Sequence, residues 1–181
     1  MAFDREQVLR AAASLLMRKS SATMDEVARA AGISRATLNR QFAGRDALVR
    51  ALEELGIAEC EAAAARAAVD DGPAPDAVRR LVRELEPAAG LLAFLYSENQ
   101  LFENEQNEGW ARLDARVVAL FRRGQEAGEF RIDLSPVWLT EALYGLLVSA
   151  AWAICEGRVA PKDLTSNVTE LLLGGAVRRE K

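Results

Sequence analysis

A chain of 181 residues, half of them apolar and 28% charged, can bury a substantial core, so it is not disordered as a whole and fits one compact unit or a small module on a larger one. It has no histidine, which removes His-based triads, imidazole metal sites and Glu-x-x-His di-iron helices. The net charge of −4 is unevenly spread: residues 1–50 hold nine Arg/Lys against five Asp/Glu, and the other 131 hold fourteen against twenty-two, so a basic N-terminal module sits on an acidic body.

In chain order, Asp4 caps a first helix, with Gln7 three residues on and Phe3 set to staple against Val8. Val8, Ala12, Leu15 and Leu16 recur at helical spacing as one buried stripe, which Lys19-Ser20-Ser21 ends. Thr23 and Glu26 form a capping box for a second helix with Met24, Val27 and Ala28 inward. Gly32 supplies the positive φ for a sharp turn, and Ser34 caps a third helix with Ile33 placed to staple on Leu38. After a break at Phe42-Ala43-Gly44, a long helix is predicted from Arg45 to Val69. Asp70-Asp71-Gly72-Pro73-Ala74-Pro75 reads as the clearest linker. Further helices are predicted near Pro75–Glu86, Ala88–Asn104, Glu108–Ala127, Pro136–Glu156 and Pro161–Arg179, with Ser135 as a cap before Pro136. No alternating β-branched run occurs, so the fold class is all-α, with about nine helices.

Cys60 and Cys155 lack metal or redox spacing and are expected to be reduced and largely buried. No basic–apolar leader and no run of 18 apolar residues occurs, so the expected location is the cytoplasm, with no membrane partner. No cofactor and no metal are expected, and nothing marks a catalytic carboxylate pair.

Residues 23–42 have the spacing of a helix-turn-helix, whose second helix enters the major groove of DNA. Arg35 suits O6 and N7 of guanine, Asn39 or Gln41 suit adenine, and Ala36 is small enough to meet a thymine methyl. Thr37, Arg45 and the helix N-terminus at Ser34 suit phosphate oxygens. A tight helical corner with a polar outer face would have the same spacing.

The stretch Ala31-Gly-Ile-Ser-Arg-Ala-Thr-Leu-Asn-Arg-Gln-Phe-Ala-Gly-Arg-Asp-Ala-Leu-Val49 resembles the signature of the tetracycline-repressor (TetR) family of bacterial regulators. Gly128-Glu-Phe-Arg-Ile-Asp-Leu-Ser-Pro136 resembles the family's segment between helices seven and eight. The resemblance implies an N-terminal three-helix DNA-binding domain (residues 1–45) and a C-terminal helical ligand-binding and dimerisation domain (residues 46–181). It places Arg35, Ala36 and Arg40 where family members contact bases, and Thr23, Thr37, Asn39, Gln41 and Arg45 where they contact the backbone. The family usually has Tyr at the position of Asn39 and often His at that of Gln41, which leaves those two residues open between phosphate and base.

Ala142–Cys155 has fourteen residues without a charge, too short an apolar stretch to span a bilayer and too apolar to be covered by a small chain alone. Together with the last helix it is expected to form a four-helix homodimer interface through Leu139, Leu143, Leu146, Leu147, Ala150, Val168, Leu171, Leu172 and Gly175, against the alternative of a purely intrachain core. For a small-molecule effector, the candidates on the middle helices are Phe94, Tyr96, Phe102, Trp110, Trp138 and Tyr144, with Glu98, Asn99 and Glu141 as polar groups that would suit a cationic lipophile. The expected function is a dimeric, ligand-responsive transcriptional repressor on a palindromic double-stranded DNA operator. The alternatives are a helical scaffold or adaptor that never touches DNA and, behind it, a helical enzyme.

Overall fold

Side-chain caps start the first three helices where the sequence places them. In a computed structural model, which describes residues 4–98 and 108–177, Asp4 accepts from the amides of Glu6 and Gln7 and opens α1 (Arg5–Arg18). Thr23 and Glu26 form a reciprocal capping box on α2 (Met24–Ala30), and Ser34 caps α3 (Arg35–Gln41). Each such cap satisfies amides that would otherwise be orphaned, and losing one typically costs about 1 kcal/mol. Gly32, at φ 68°, makes the turn between α2 and α3.

The remaining helices are α4 (Arg45–Arg66), α5 (Ala74–Leu85), α6 (Ala89–Ser97), α7 (Glu108–Glu126), α8 (Pro136–Cys155) and α9 (Leu164–Ala176). Short 3-10 turns at Glu86–Ala88 and Pro161–Asp163 lead into α6 and α9. Among the described residues, β pairing is confined to one bridge between Phe130 and Val177. Predicted and observed ends agree within a few residues, except that α6 closes at Ser97 rather than running on to Asn104, which lies outside the described residues.

The stretch after α4 is no slack linker. Arg80 donates to the carbonyls of Ala67, Ala68 and Asp71, and Arg123 donates to those of Val69 and Gly72. Glu129 accepts from the amide of Ala74 and so caps α5 from a distant loop. These bonds hold the turn by its own orphan carbonyls, so its Gly and Pro mark a corner and not a hinge.

Two apolar cores result. The N-terminal core joins α1, α2, α3 and the first turns of α4 through Leu9, Leu16, Val27, Leu38, Phe42, Leu48 and Leu52, and takes in Leu91, Phe94 and Leu95 of α6. The larger core packs the far half of α4 with α5, α7, α8 and α9 around Leu81, Phe121, Phe130, Leu143 and Leu147. Phe130 lies so close over Gly124 that a Cβ there would come within 2.3 Å of its ring. α4 and α6 contribute to both cores, so the two modules share structure rather than a flexible tether.

Candidate nucleic-acid interface and interior polar cluster

α3 has two unlike faces. Leu38 and Phe42 are fully buried against α1, α2 and α4, while Arg35, Ala36, Asn39, Arg40 and Gln41 are exposed. This follows from a helix anchored by one apolar row and capped at Ser34, whose hydroxyl accepts from the Thr37 amide at 3.1 Å. The Thr37 hydroxyl sits 2.9 Å from that of Ser34 and accepts from Arg40 at 3.2 Å. Arg35, its side chain 66% exposed, lies against Asp25 of α2: Nη1 donates to Oδ2 at 3.1 Å, and Nε is 3.1 Å from Oδ1. The sequence reading missed this partner; an acid in the first turn of α2 opposite the first residue of α3 was the available signal.

Thr23 is committed to the capping box, where its hydroxyl and amide both donate to Glu26. Glu26 also pairs with Lys19 at 2.6 Å, and the Lys19 ammonium, with the Thr23 donors, lowers its carboxyl to about 2. Arg45 is engaged within the chain. Its guanidinium donates to the carbonyls of Ser20 at 2.7 Å and Ala22 at 3.3 Å, and pairs with Glu98 of α6 at 3.0 Å. Three groups in reach of one fork turn it toward the body, so it fastens the start of α4.

The effector candidates scatter. Phe94 is buried in the N-terminal core, Trp138 is 59% exposed on the first turn of α8, Glu141 and Tyr96 are exposed, and Glu98 is engaged with Arg45. Phe102 and Asn99 lie outside the described residues. Trp110 and Tyr144 do point inward, toward partners the sequence reading did not single out. Glu53, only 4% exposed, accepts from the Trp110 indole N–H at 3.2 Å across α4 and α7. Two turns along α4 from Glu53, burial pushes the Cys60 thiol up to about 12, and one turn along α7 from Trp110 it raises the Asp114 carboxyl. The Tyr144 hydroxyl is buried with no hydrogen-bond partner, and its phenol is raised by burial, with Cys60, Asp114 and Glu141 adding to it. An unpartnered buried hydroxyl beside the half-buried Asp114 is the kind of polar group a ligand pocket keeps in reserve.

Known proteins align with this arrangement along almost its whole length. Residues 8–52 match the family of bacterial regulatory proteins of the tetR type. The HTH-type transcriptional regulator NfxB of Pseudomonas aeruginosa is 30% identical over 94% of this chain and 93% of its own. The chain belongs to the TetR family. The HTH-type transcriptional repressor LfrR of Mycolicibacterium smegmatis is 26% identical over 94% of this chain and 89% of its own. In fold, the crystal structure of LfrR from Mycobacterium smegmatis in complex with proflavine covers 97% of both chains with a TM-score of 0.77 at 23% identity. PfmR from Thermus thermophilus covers 99% of this chain and 100% of its own at a TM-score of 0.69 and 21% identity.

This TetR-family chain is therefore a transcriptional regulator and not an enzyme. Its α8 runs 20 residues and contains an 18-residue window with a mean hydropathy of 1.5, long and apolar enough by composition to cross a membrane. Leu139, Leu143 and Leu147 face inward from α8, and Val168 and Leu172 from α9. Those five candidate interface residues are buried in the subunit's own core, because α8 packs on α6, α7 and α9 at once. Leu146 and Ala150 are half-buried, and Leu171 and Gly175 are exposed, on the outer side of the same two helices.

Proposed function

We propose that this TetR-family regulator is a homodimeric repressor that reads a palindromic operator in the cytoplasm and is released by a small molecule, with residues 1–45 as reader and 46–181 as sensor and dimerisation body. The observation that carries it is α3: an exposed polar row of Arg35, Asn39, Arg40 and Gln41 on a back fixed by Leu38 and Phe42. A helix so anchored can enter a major groove without rearrangement, with Arg35 and Arg40 toward base edges and Ser34, Thr37 and the Thr23 end of α2 toward phosphates. Asn39 and Gln41 lie on the same exposed row and suit either.

The interior cluster supports a planar aromatic cation as effector. Glu53 and Asp114 supply desolvated acids, Trp110 a ring face, and Tyr144 an unused hydroxyl. LfrR has been crystallised with proflavine, a molecule of that kind. α4 carries Leu48 and Leu52 in the reader's core and Glu53 and Cys60 at the cluster, so a ligand that shifts α4 shifts the reader. It weakens operator binding only by favouring the wrong separation of the two α3 helices.

Duplexes enriched from a random pool, followed by fluorescence anisotropy across salt, test the reading. Affinity should fall steeply with salt, and Arg35→Ala should cost about tenfold or more on the best site while relaxing one base position. Salt-insensitive binding unaffected by Arg35→Ala and Arg40→Ala would leave the scaffold alternative standing. Proflavine should release the duplex, and Glu53→Gln should raise the concentration required about tenfold. No release at saturation removes the effector class and leaves the reader intact.

A further inference from the structure

We propose a second small-molecule site, separate from the interior cluster, for an amphiphile with a primary ammonium head and an aliphatic tail, in the cleft between α1 and the C-terminal end of α8. The cleft holds about 570 Å³, within the range of about 300–1,000 Å³ usual for ligand sites. Its floor is apolar: Met17 of α1, Leu55 of α4, Leu91 of α6, Ile154 of α8 and Leu164 of α9. It lies across the seam between the N-terminal core and the body, where nothing assigned above to DNA or effector resides.

The head group follows from Glu59 of α4, which lines the cleft with only 18% of its side chain exposed. Its Oε1 is buried and accepts no hydrogen bond. Arg10 Nη2 comes within 2.8 Å of that oxygen, but the Arg10 N–H groups donate to Glu6 instead, from Nε at 3.2 Å and from Nη2 at 2.7 Å. One guanidinium thus serves two acids, and Glu59 gains a neighbouring charge without a donor. Burial outweighs the pull of Arg10, so the Glu59 carboxyl is raised, as befits a desolvated acid short of a partner. The last torsion of a glutamate is soft, and a modest turn brings either oxygen to a head group in the cleft.

The other polar groups on the lining do not draw an anion inward. Glu86 accepts from the Thr165 hydroxyl. Arg18 and Ser14 lie on the exposed edge of α1, bonded to each other at 3.0 Å, with Arg18 about 12 Å along the helix from Arg10. An anion paired with Arg18 would stay in water, where an ion pair is worth little. An ammonium at Glu59 gives an N–H to an acceptor that lacks one, where burial strengthens the bond, and its alkyl chain covers the floor. Bound there, the ligand favours whichever arrangement of α1 against α8 keeps the cleft at this width.

Four probes with a similar tail separate the head groups: decylammonium, decyltrimethylammonium, 2-decanone and decanoate, titrated calorimetrically into the full chain at pH 7. Decylammonium should bind at one site per chain at least about tenfold more tightly than each of the others, since the quaternary ammonium brings charge without an N–H. That ranking is read on the unaltered chain and needs no variant. Glu59→Gln should weaken decylammonium about tenfold and leave 2-decanone where it was. Cys155 lines the cleft, so decylammonium should slow its alkylation, and Glu59→Gln should abolish that protection at the same concentration. Equal affinity for the primary and quaternary ammonium, preference for decanoate, or decylammonium binding unchanged in Glu59→Gln would each overturn the proposal. Loss of decylammonium binding in Glu53→Gln but not in Glu59→Gln would move the ligand to the interior cluster and equally overturn it.

Discussion

In the proposed docking, Arg35 would enter the groove already held by a carboxylate. The pair with Asp25 is exposed, so it is worth about 0–1 kcal/mol and guanine can displace it cheaply. Asp25 nevertheless puts a negative charge on the edge that must approach phosphates, and it masks a positive one that any sequence would attract. Its effect is therefore larger on random DNA than on the operator, where the guanine fork replaces it. Asp25→Asn should tighten binding to a random duplex several-fold and steepen its salt slope by about one, while the operator gains less, so the ratio of the two falls. Anisotropy titrations of both duplexes across salt check this; unchanged random-duplex affinity means that Asp25 does not shield Arg35. Arg45 gives the opposite lesson. Its position in the sequence resembles a phosphate contact, but Ser20, Ala22 and Glu98 claim its fork from the body's side.

At the level of elements, α2 depends on a charged cap. The Glu26 carboxyl titrates at about 2 in the folded chain against an ordinary 4.5, because Lys19 and the Thr23 donors favour its ionised form. A lowered folded value gives stability that is present above the unfolded value and is lost as pH falls through the folded one, here between 4.5 and about 2. Glu26→Gln should melt below the parent chain at pH 7, and the gap should close as pH falls through that window. A gap that persists unchanged at pH 2 would place the contribution in packing instead. This cap, Ser34 and the Ser135–Pro136 start of α8 were legible because each is local: the residue types that satisfy orphan amides stand within three positions of them. The interior cluster was legible only in Trp110 and Tyr144. Glu53, Cys60, Trp110, Asp114 and Tyr144 lie on three helices, and helical periodicity alone does not tell which faces of α4, α7 and α8 meet. The same gap explains Trp138, whose place in the first turn of α8 leaves it exposed although its neighbour Leu139 is buried. An acid such as Glu53 reads as surface until the partner helix is placed over it.

For the molecule as a whole, α8 is the element left incomplete. Only 33% of its apolar window is buried within the subunit, and Leu171 on α9 is 66% exposed beside Gly174 and Gly175, where a second backbone could approach closely. A two-fold interface would use each of these residues twice, and burying a leucine is worth about 1.5–3 kcal/mol per copy. Association of this kind also sets function, because two α3 helices must meet major grooves about 34–36 Å apart, and the body alone can fix that distance. Leu171→Arg puts two like charges at the proposed centre without touching a core residue. Sedimentation equilibrium should then find monomers. Affinity for a full palindrome should fall at least about 100-fold as the second contact ceases to be intramolecular, while affinity for a half-site duplex stays the same. If the variant stays dimeric and keeps its full-site affinity, the subunits meet elsewhere; if half-site binding falls as well, the substitution has disturbed the reader through the shared helices α4 and α6.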